Sequence, residues 1–560
     1  MKSGRLAISI VLLAALAIAL IAAYGPILVE FFHNVWRRPH YQHFPFVLAA
    51  SALLFMRDLS TRPGRAPGPL WAAGGAVAAW ALLALAYQIP SPLFAAASLL
   101  LLAGAAGCVI ARSIGARFPW GAWALSWLVL PPPVGLDYRL IEVLQRSSSW
   151  LASQALDVLQ INHLMEGNAL VLADKTLFVD EACSGIVSAV SIISCAAMYA
   201  VWRRRGVAHT LLLMAMSAGW AMLLNVVRIV SIALAHRQFN LDLAEGVPHT
   251  LVGLGAFALS LVTLVASDWL LKALLAEVGP RWSQMTGESI RWGGGLVDAW
   301  DRLVATPDAA PATPTLSAPR ERVVFRWDRV LTSSLGVGAA LTASLAFAGL
   351  GATQLVRPAG VQTAELDFPN EDQFAETLEA EGLPAELFGL QLIEKSHRQR
   401  DDDSAFGQHS VIYSYQDKKG QVFLVSCDFP FVGGWHDLSV CYRGIGWEMN
   451  ERLIDQAGSA EGTPFDYAQM AMTKPDGRSA LVTFCACQRD GTAIDAPAMT
   501  FKEGLLRAFS RRQAFADSRQ CFQVQVLTER AEALSEADRS LSLEMLEEAR
   551  RRFTAVALEL

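Results

Sequence analysis

Apolar runs long enough to cross a membrane constrain this chain more than any other feature. A helix of about 20 apolar residues spans the ~30 Å hydrocarbon core of a bilayer. The longer runs are Leu6–Val29, Pro69–Gln88, Ser91–Ala111, Cys183–Trp202, Val207–Val227, Pro248–Leu271 and Val330–Gly351, and two shorter runs are Phe44–Met56 and Phe118–Pro133. The sequence therefore predicts a polytopic α-helical membrane protein with about eight to nine transmembrane helices.

The first apolar run follows Lys2 and Arg5 and has two interpretations. It could be a cleaved signal peptide, but its length and the lack of a clean small-residue cleavage site favour a spanning helix.

Composition agrees with a membrane protein and excludes two other classes. Of the 560 residues, 53% are hydrophobic and only 18% are charged, whereas soluble domains carry about 25% charged residues. The formal net charge of −6 argues against a nucleic-acid partner, which favours a basic surface. Eight cysteines are too few for a disulfide scaffold, and Cys108 and Cys195 lie in apolar runs, where packing is their expected role.

Basic residues predict the orientation of the crossings, because cytoplasmic loops are enriched in Lys and Arg. With the N-terminus in the cytoplasm, the nine crossings place most cations inside, although Arg37 and Arg38 fall outside. The inside cations are Lys2, Arg5, Arg57, Arg62, Arg65, Arg112, Arg117, Arg203–Arg205 and the arginines of the Lys272–Arg329 segment. The C-terminal third, after Gly351, is then expected outside the cytoplasm.

These patterns divide the chain into four parts. We expect a multi-spanning domain over residues 1–274, a cytoplasmic Pro/Ala-rich linker over 275–327, a transmembrane helix over 328–352 and an extracytoplasmic α+β domain over 361–560. In the first part, apolar residues at helical spacing between Pro133 and Cys183 predict an amphipathic helix at the membrane interface.

Shorter patterns predict further elements. Gly167–Val179 alternates enough to predict a hairpin or an extended strand. The C-terminal third is predicted to contain strands at Ser410–Tyr415, Gln421–Ser426 and Ala480–Cys485 and a terminal helix within Ser535–Leu560.

A cysteine stands at the start of the sixth predicted crossing, in the order Glu181-Ala182-Cys183-Ser184-Gly185. The unpaired N–H groups and positive dipole end of a helix N-terminus favour the thiolate, which is the nucleophilic form of cysteine. Taken alone, a cysteine in a membrane segment is more often a small packing residue.

Two further polar motifs occur at the outer ends of the next crossings. Asn225 and Arg228 are three residues apart and share one helix face, and His249 follows Pro248, which suits the first turn of a helix. Arg228 alone could be an interfacial anchor, and His249 alone could be a polar helix end. Together with Cys183 they place a thiol, a guanidinium and an imidazole at one depth, which is the chemistry of thiol acyl transfer with a fixed oxyanion donor.

These motifs resemble those of the exosortase/archaeosortase family of integral-membrane cysteine transpeptidases and proteases. The family has Cys in an A-C-S-G motif, Arg after N-x-x and His at the start of the next helix. The corresponding segments here are Ala182–Ile186 (ACSGI), Asn225–Ile229 (NVVRI) and Val247–Thr250 (VPHT). Trp36–Pro45 (WRRPHYQHFP) is similar to the family's W…Y-S-H-G segment, with departures at Gln42 and Phe44, so the resemblance covers about residues 36–274.

The resemblance implies a role for each residue and a class of partner. Cys183 would be the nucleophile, Arg228 the oxyanion stabiliser and His249 the general acid and base. The supporting residues would be Asn225, Ser184 and Gly185. Substrates would be secreted proteins with a C-terminal sorting tail: a short signature such as Pro-Glu-Pro, a transmembrane helix and a basic cluster.

The resemblance also implies a location and a fate for the acyl group. Cleavage would take place at the outer face of a bacterial cytoplasmic (inner) membrane, in connection with exopolysaccharide or cell-surface protein sorting. The acyl group would pass to water or to a lipid or sugar acceptor. No cofactor or metal is expected.

The C-terminal third carries a second motif, His436–Trp447 (HDLSVCYRGIGW). It looks like the H…C-x-P-G-x-G-W signature of the extracytoplasmic domain that accompanies exosortases in exopolysaccharide systems, with Arg443 in place of the proline and Cys485-Ala486-Cys487 where aromatic residues are usual. Its candidate functional residues are His436, Cys441, Gly444, Gly446 and Trp447.

The cysteines of this third have several interpretations. His436 and Cys441 could form a second thiol site, they could pack and cap a turn, or Cys441 could form a disulfide with Cys427. Cys485-x-Cys487 is too tightly spaced for the usual zinc site, so no metal is predicted. Any pairing among Cys427, Cys441, Cys485, Cys487 and Cys521 is left open by the sequence.

Two other functions fit parts of the sequence. A non-enzymatic membrane component of polysaccharide assembly or export would use the C-terminal domain for binding, and Cys183→Ala would then be silent. A membrane acyltransferase would use the same thiol on a lipid donor and would carry a lipid thioester.

Overall fold

The structure of the 560-residue chain is a computed structural model. It describes residues 2–560 except 37, 62–63, 90, 133–135, 173–175, 179–185, 242, 244–245, 277, 279–284, 286–293, 305–344, 351, 353–369, 401–406, 433–434, 436–437, 459–463 and 497–519. Of the predicted linker over residues 275–327, the positions 277, 279–284, 286–293 and 305–327 lie outside these described residues.

The N-terminal part is helical, as its apolar runs predict. The helices are α1 (Lys2–Trp36), α2 (Phe44–Thr61), α3 (Pro69–Gln88), α4 (Pro92–Ser113), α5 (Trp120–Ser126), α6 (Leu136–Val158), α7 (Ile186–Trp202), α8 (Val207–Phe239), α9 (Gly246–Leu274) and α10 (Gly294–Val304). Within the described residues, six helices are long and apolar enough to span a membrane, namely α1–α4, α8 and α9. A polytopic membrane protein is therefore confirmed.

The predicted count of eight to nine spanning helices is not confirmed. The fifth predicted crossing contains only the seven-residue helix α5 and a short 3-10 turn over Trp127–Val129. Pro119 precedes it and the prolines after Leu130 follow it, which limits the helix at both ends. The apolar part of α7 that could span covers Ala189–Trp202, and of the predicted Val330–Gly351 helix the structure describes only residues 345–350, which are helical.

Buried charges join the ends of four helices at one end of the bundle. The Asp268 carboxylate of α9 accepts hydrogen bonds from Arg205 at 2.6 and 2.8 Å and lies 2.8 Å from His209 Nε2 of α8. At the same end, Asp58 of α2 accepts from Arg57 at 2.8 Å and from Arg204 at 3.3 Å. The three arginines of these contacts, Arg57, Arg204 and Arg205, are among the cations that the sequence predicts to be cytoplasmic.

Helix α6 and a small antiparallel sheet lie together at the opposite end. The strands are β1 (His163–Glu166), β2 (Ala169–Leu172) and β3 (Thr176–Phe178), in the order β1-β2-β3. The predicted amphipathic helix and hairpin are thus present, and the sheet begins at His163, before the predicted start at Gly167. Its core is shared with α6 and α8 and consists of Ala152, Leu156, Ile161, Leu170, Leu172, Val226, Ile229, Ile232 and Ala233.

The C-terminal part is a mixed α and β domain built on one eight-stranded sheet. Its strands are β4 (Glu386–Leu387), β5 (Leu390–Gln399), β6 (His409–Gln416), β7 (Val422–Val432), β8 (Glu448–Ala457), β9 (Phe465–Thr473), β10 (Ser479–Gln488) and β11 (Gln520–Arg530). All neighbours pair antiparallel in the order β4-β5-β6-β7-β11-β10-β9-β8. The three predicted strands correspond to β6, β7 and β10.

Helices cover both faces of this sheet. Helices α11 (Glu371–Glu381) and α13 (Glu536–Glu559) pack on one face, and α12 (Leu438–Gly444) packs on the other beside Trp447. The predicted terminal helix corresponds to α13, which begins with a capping box because Ser535 and Asp538 each bond the other's backbone N–H.

The interpretation in which Cys441 forms a disulfide with Cys427 is wrong, because neither residue is in a disulfide. Cys427 belongs to the core between the sheet and α11 and α13, whereas Cys441 lies on α12, which covers the opposite face. The sheet itself separates the two thiols. Cys485, Cys487 and Cys521 are buried, and none of them is in a disulfide.

Candidate active site

Arg228 and His249 meet between helices α8 and α9. An Arg228 guanidinium N–H donates to His249 Nε2 at 2.6 Å, and the same nitrogen lies 3.5 Å from the His249 carbonyl oxygen. Arginine carries donors only, so Nε2 must be the acceptor and the imidazole is neutral in this arrangement. Two residues that the sequence predicts to share one depth are therefore in direct contact.

The α8 side of this pair is buried and retains unused donors. Arg228 is 8% exposed and Asn225, one turn earlier on the same face, is 4% exposed. Among the described residues, Arg228 Nε and Asn225 Nδ2 have no hydrogen-bond partner. Buried donors favour an acceptor strongly, above all an anionic one, so this face of α8 is suited to a carbonyl oxygen that becomes negatively charged.

Gly253 is a site residue that the sequence analysis missed. It lies one turn after His249 on α9, and a Cβ there would be 3.1 Å from an Arg228 guanidinium nitrogen and 3.3 Å from its central carbon. Glycine thus leaves the space that the guanidinium occupies. The spacing of four residues after the predicted histidine, on one helix face, was the signal that could have identified it.

The structure does not describe the cysteine motif itself, but it describes the helix that follows this motif. Cys183, Ser184 and Gly185 lie outside the described residues, and helix α7 begins at Ile186, three residues after Cys183. The N-terminal segment that resembles the family packs on this same helix, because His43 Nε2 lies 2.9 Å from Ser194 Oγ. The segment therefore adjoins the helix that follows the candidate nucleophile.

The C-terminal motif lies around α12, at the end of the domain that contacts the β1–β2 turn. Gly444 ends α12, Gly446 has a φ of +90° and Trp447 is buried. Cys441 is half-buried on α12. His436 lies outside the described residues, so its predicted pairing with Cys441 stays a prediction.

The other cysteines of this domain are suited to packing. Burial raises the pKa of Cys487 to about 12 and raises the pKa values of Cys427 and Cys485 well above their usual range. A thiol with such a pKa is protonated at neutral pH and is a poor nucleophile. The Cys485-x-Cys487 pair accordingly belongs to the core of the sheet.

Comparison with known families agrees with the resemblance of the membrane-spanning part. No curated protein and no solved structure matched the chain. Residues 35–266, however, match the family model of the transmembrane exosortases (Exosortase_EpsH), and this range includes Cys183, Arg228 and His249 and ends before the C-terminal domain. The match supports the exosortase family, whose members are generally membrane cysteine transpeptidases, for the N-terminal part of this chain.

Proposed function

We propose that this chain is a membrane cysteine transpeptidase or protease that cleaves the C-terminal sorting tails of secreted proteins. The proposal is carried by the hydrogen bond of 2.6 Å between Arg228 and His249, within the segment that matches the transmembrane exosortases. Cys183 is the proposed nucleophile, because it lies in the cysteine motif of that family, three residues before the first residue of α7.

The first half of the proposed reaction forms a thioester. The Cys183 thiol gives its proton to the His249 imidazole, and the sulfur attacks the carbonyl carbon of the scissile peptide bond. The oxyanion accepts hydrogen bonds from the Arg228 guanidinium, which stays charged throughout. The C–N bond then breaks as the imidazolium returns the proton to the leaving amine, and the tail departs.

The second half of the reaction resolves the thioester. Water or the amine of an acceptor attacks the thioester carbonyl and gives its proton to His249. The C–S bond breaks and the imidazolium protonates the sulfur, which restores the thiol. Water yields a free carboxylate, and a lipid or sugar amine yields an amide on the cell surface.

Proton transfer also gives the Arg228–His249 contact a role in the proposed reaction. The neutral imidazole accepts a hydrogen bond from the guanidinium, but an imidazolium has no lone pair and repels that cation. Arrival of the thiol proton would therefore release one guanidinium N–H at the moment when the oxyanion forms. Arg228 Nε, which has no partner among the described residues, would supply a second donor.

The position of the site along α8 suits a membrane-anchored substrate. The helix has 33 residues, and Arg228 lies about 32 Å from Val207 at a rise of about 1.5 Å per residue, close to the ~30 Å thickness of the hydrocarbon core. A substrate held by its own transmembrane helix presents a peptide bond just outside that helix at this depth. We place the site on the outer face of the cytoplasmic membrane, acting on tails with a signature such as Pro-Glu-Pro in exopolysaccharide or surface-protein sorting.

The proposal is tested by determining the C-termini of secreted proteins by mass spectrometry in the native host. Wild-type protein should remove tails that consist of a helix and a basic cluster, and Cys183→Ala, Arg228→Ala and His249→Ala should leave them intact. Cys195→Ala, at a half-buried packing cysteine of α7, should process as wild type does. Equal trimming with and without Cys183 would overturn the proposal and favour a non-enzymatic role in polysaccharide assembly.

A further inference from the structure

The tip of the β1–β2 hairpin contacts the C-terminal domain directly. The Asn168 N–H donates to the Gly444 carbonyl oxygen at 2.6 Å, although the two residues are far apart in the sequence. The Asn168 carbonyl oxygen accepts from Ser149 Oγ of α6 at 3.3 Å. Both backbone polar groups of Asn168 are thus engaged, one by the membrane-spanning part of the chain and the other by the C-terminal domain.

Gly167 allows this close approach. It has a φ of +62° at the first position of a two-residue turn between Glu166 and Ala169, a position that favours glycine. A Cβ on Gly167 would lie closer than 3.0 Å to the carbonyl oxygens of Arg443 and Gly444. Both of these atoms belong to the backbone, so no side chain could move aside to admit even a methyl group.

The hairpin in turn packs on the helix turn that carries Arg228. Leu170 and Leu172 of β2 share one buried core with Val226 and Ile229 of α8, which flank Arg228. At the base of the hairpin, His163 Nε2 lies 2.8 Å from Ser153 Oγ of α6. A displacement of the hairpin tip would therefore be transmitted through a packed core to the helix turn of the candidate site.

The same sheet leads along the chain to the candidate nucleophile. Strand β3 pairs with β2 through Leu177 and Leu170 and ends at Phe178, five residues before Cys183. The sheet that packs on α8 thus ends, along the chain, shortly before the cysteine motif.

We propose that the C-terminal domain is a positioning part of the catalytic unit. The segment Gly444–Gly446 contacts the Gly167–Asn168 turn, and the docked hairpin holds the Arg228 turn of α8 in position. Gly167 and Gly444 are positioning residues, since they act through the hairpin and touch none of the proposed reacting atoms. The effect on turnover rests on the proposed function, whereas the docking itself does not.

Two variants of the full-length protein disrupt this contact from opposite sides. Gly167→Ala places a methyl group against the Gly444 and Arg443 carbonyls, and its matched control is Gly115→Ala. Gly115 has a similar φ of +68° but nothing within 4 Å of its Cβ position, so the control carries the same backbone strain without the clash.

The second variant acts from the C-terminal domain and leaves the hairpin sequence unchanged. A Cβ on Gly444 would lie 3.7 Å from the Asn168 side-chain nitrogen, so the ring of Gly444→Phe would wedge the turn away. Ala555→Phe, at an exposed position of α13, is the control for adding a large side chain to this domain.

Docking is then measured on protein in lipid nanodiscs, and turnover is measured separately in the host. Hydrogen–deuterium exchange with mass spectrometry reports the protection of the hairpin amides over residues 163–172, and mass spectrometry of substrate C-termini in the host reports tail removal. In Gly167→Ala and Gly444→Phe we expect hairpin exchange to be about tenfold faster and tail removal to fall about tenfold. Both controls should match the wild type in both measurements.

The outcomes separate this inference from the proposed function. Unchanged hairpin exchange in both variants would show that the turn is not docked, and faster exchange with undiminished tail removal would show that docking does not position the site. Either result overturns the inference. If Cys183→Ala removes tails as well as the wild type does, the proposed function fails and the positioning role falls with it, while hairpin exchange still decides whether the domains dock.

Discussion

The Arg228 guanidinium has more donors than its described contacts use. One nitrogen bonds His249 Nε2, while Nε is buried with no partner among the described residues. A helix that needed only a membrane anchor would direct the guanidinium towards headgroups and water. An 8% exposed guanidinium held against an imidazole is better suited to binding an oxygen that gains negative charge.

Gly253 gives the most direct residue-scale test of this geometry. We expect Gly253→Ala to displace the Arg228 guanidinium by a few tenths of an ångström and to lower tail processing about tenfold, because misplacement of catalytic groups is costly. Gly255→Ala is the matched control, since nothing lies within 4 Å of its Cβ position on the same helix. Both changes raise helix propensity equally, so a loss of activity in both or in neither would contradict the assigned role of Gly253.

Asp428 predicts a pH dependence of stability in the C-terminal domain. This carboxyl is buried on β7 and accepts hydrogen bonds from Ser410 and Ser426, and burial raises its pKa to about 6. The folded state therefore favours the protonated acid. The unfolded chain ionises near its ordinary pKa of 3.8, so stability is lost as the pH rises from about 4 to about 6, by on the order of 2–3 kcal/mol.

The measurement for Asp428 is thermal unfolding of the full-length protein at pH 4.5 and pH 7.5. Asp428→Asn keeps an oxygen acceptor and removes the titration. The unfolding midpoint of this variant, relative to that of the wild type, should therefore be higher at pH 7.5 than at pH 4.5. Glu532→Gln, at an exposed position of the same domain, should shift equally at both. A constant difference between Asp428→Asn and the wild type would contradict the burial of an ionising group.

At the scale of elements, periodicity predicted the helices and strands well where local signals dominate. The bounds of α3 coincide with the predicted run Pro69–Gln88, β6 and β10 contain two of the predicted strands, and β7 begins at Val422, one residue after the predicted start of the third. The length of the fifth helix was overestimated, because the prediction used hydrophobicity and did not include the effect of the prolines on either side of α5. Helix α8 continues to Phe239, beyond the predicted end at Val227. Residues of α8 after Val227 pack on α6 and the small sheet, and this tertiary packing is not visible in the hydrophobicity of the sequence.

The contacts of Asp268 with Arg205 and His209 hold together the ends of α7, α8 and α9. Asp268→Ala would leave the guanidinium of Arg205 and the imidazole of His209 without their shared buried acceptor, which we expect to cost about 3–5 kcal/mol. Asp268→Asn keeps the shape and should fall between the alanine variant and the wild type. Thermal unfolding in detergent, followed by size-exclusion chromatography, measures the effect.

Asp268 also tests whether the two ends of the bundle are independent. It lies about 28 Å along α9 from His249 at about 1.5 Å per residue. Tail processing per folded molecule should therefore be close to that of the wild type. An unchanged unfolding temperature in Asp268→Ala would contradict the structural role of the cluster.

For the molecule as a whole, the sequence predicted the helices, strands and site motifs better than it predicted the contacts between domains. The order and spacing of Asn225, Arg228 and His249 predicted one depth for these residues, and the contact between Arg228 and His249 is known from the structure alone. The contact of Gly167 with Gly444 could not be predicted, since it depends on how two domains dock through backbone atoms. It also gives the C-terminal motif a position next to the hairpin that leads to Cys183, which neither segment indicates by itself.

If Cys183 carries the acyl group, the mass of the Cys183 peptide should increase during turnover. Purified protein in nanodiscs would be mixed with a tailed substrate, quenched in acid and digested. We predict a mass increase equal to the N-terminal product, removed by hydroxylamine as a thioester should be, absent in Cys183→Ala and present in Cys195→Ala. Tail cleavage without any adduct on Cys183, or an adduct of lipid instead of substrate, would show that Cys183 is not the nucleophile of a tail-cleaving peptidase.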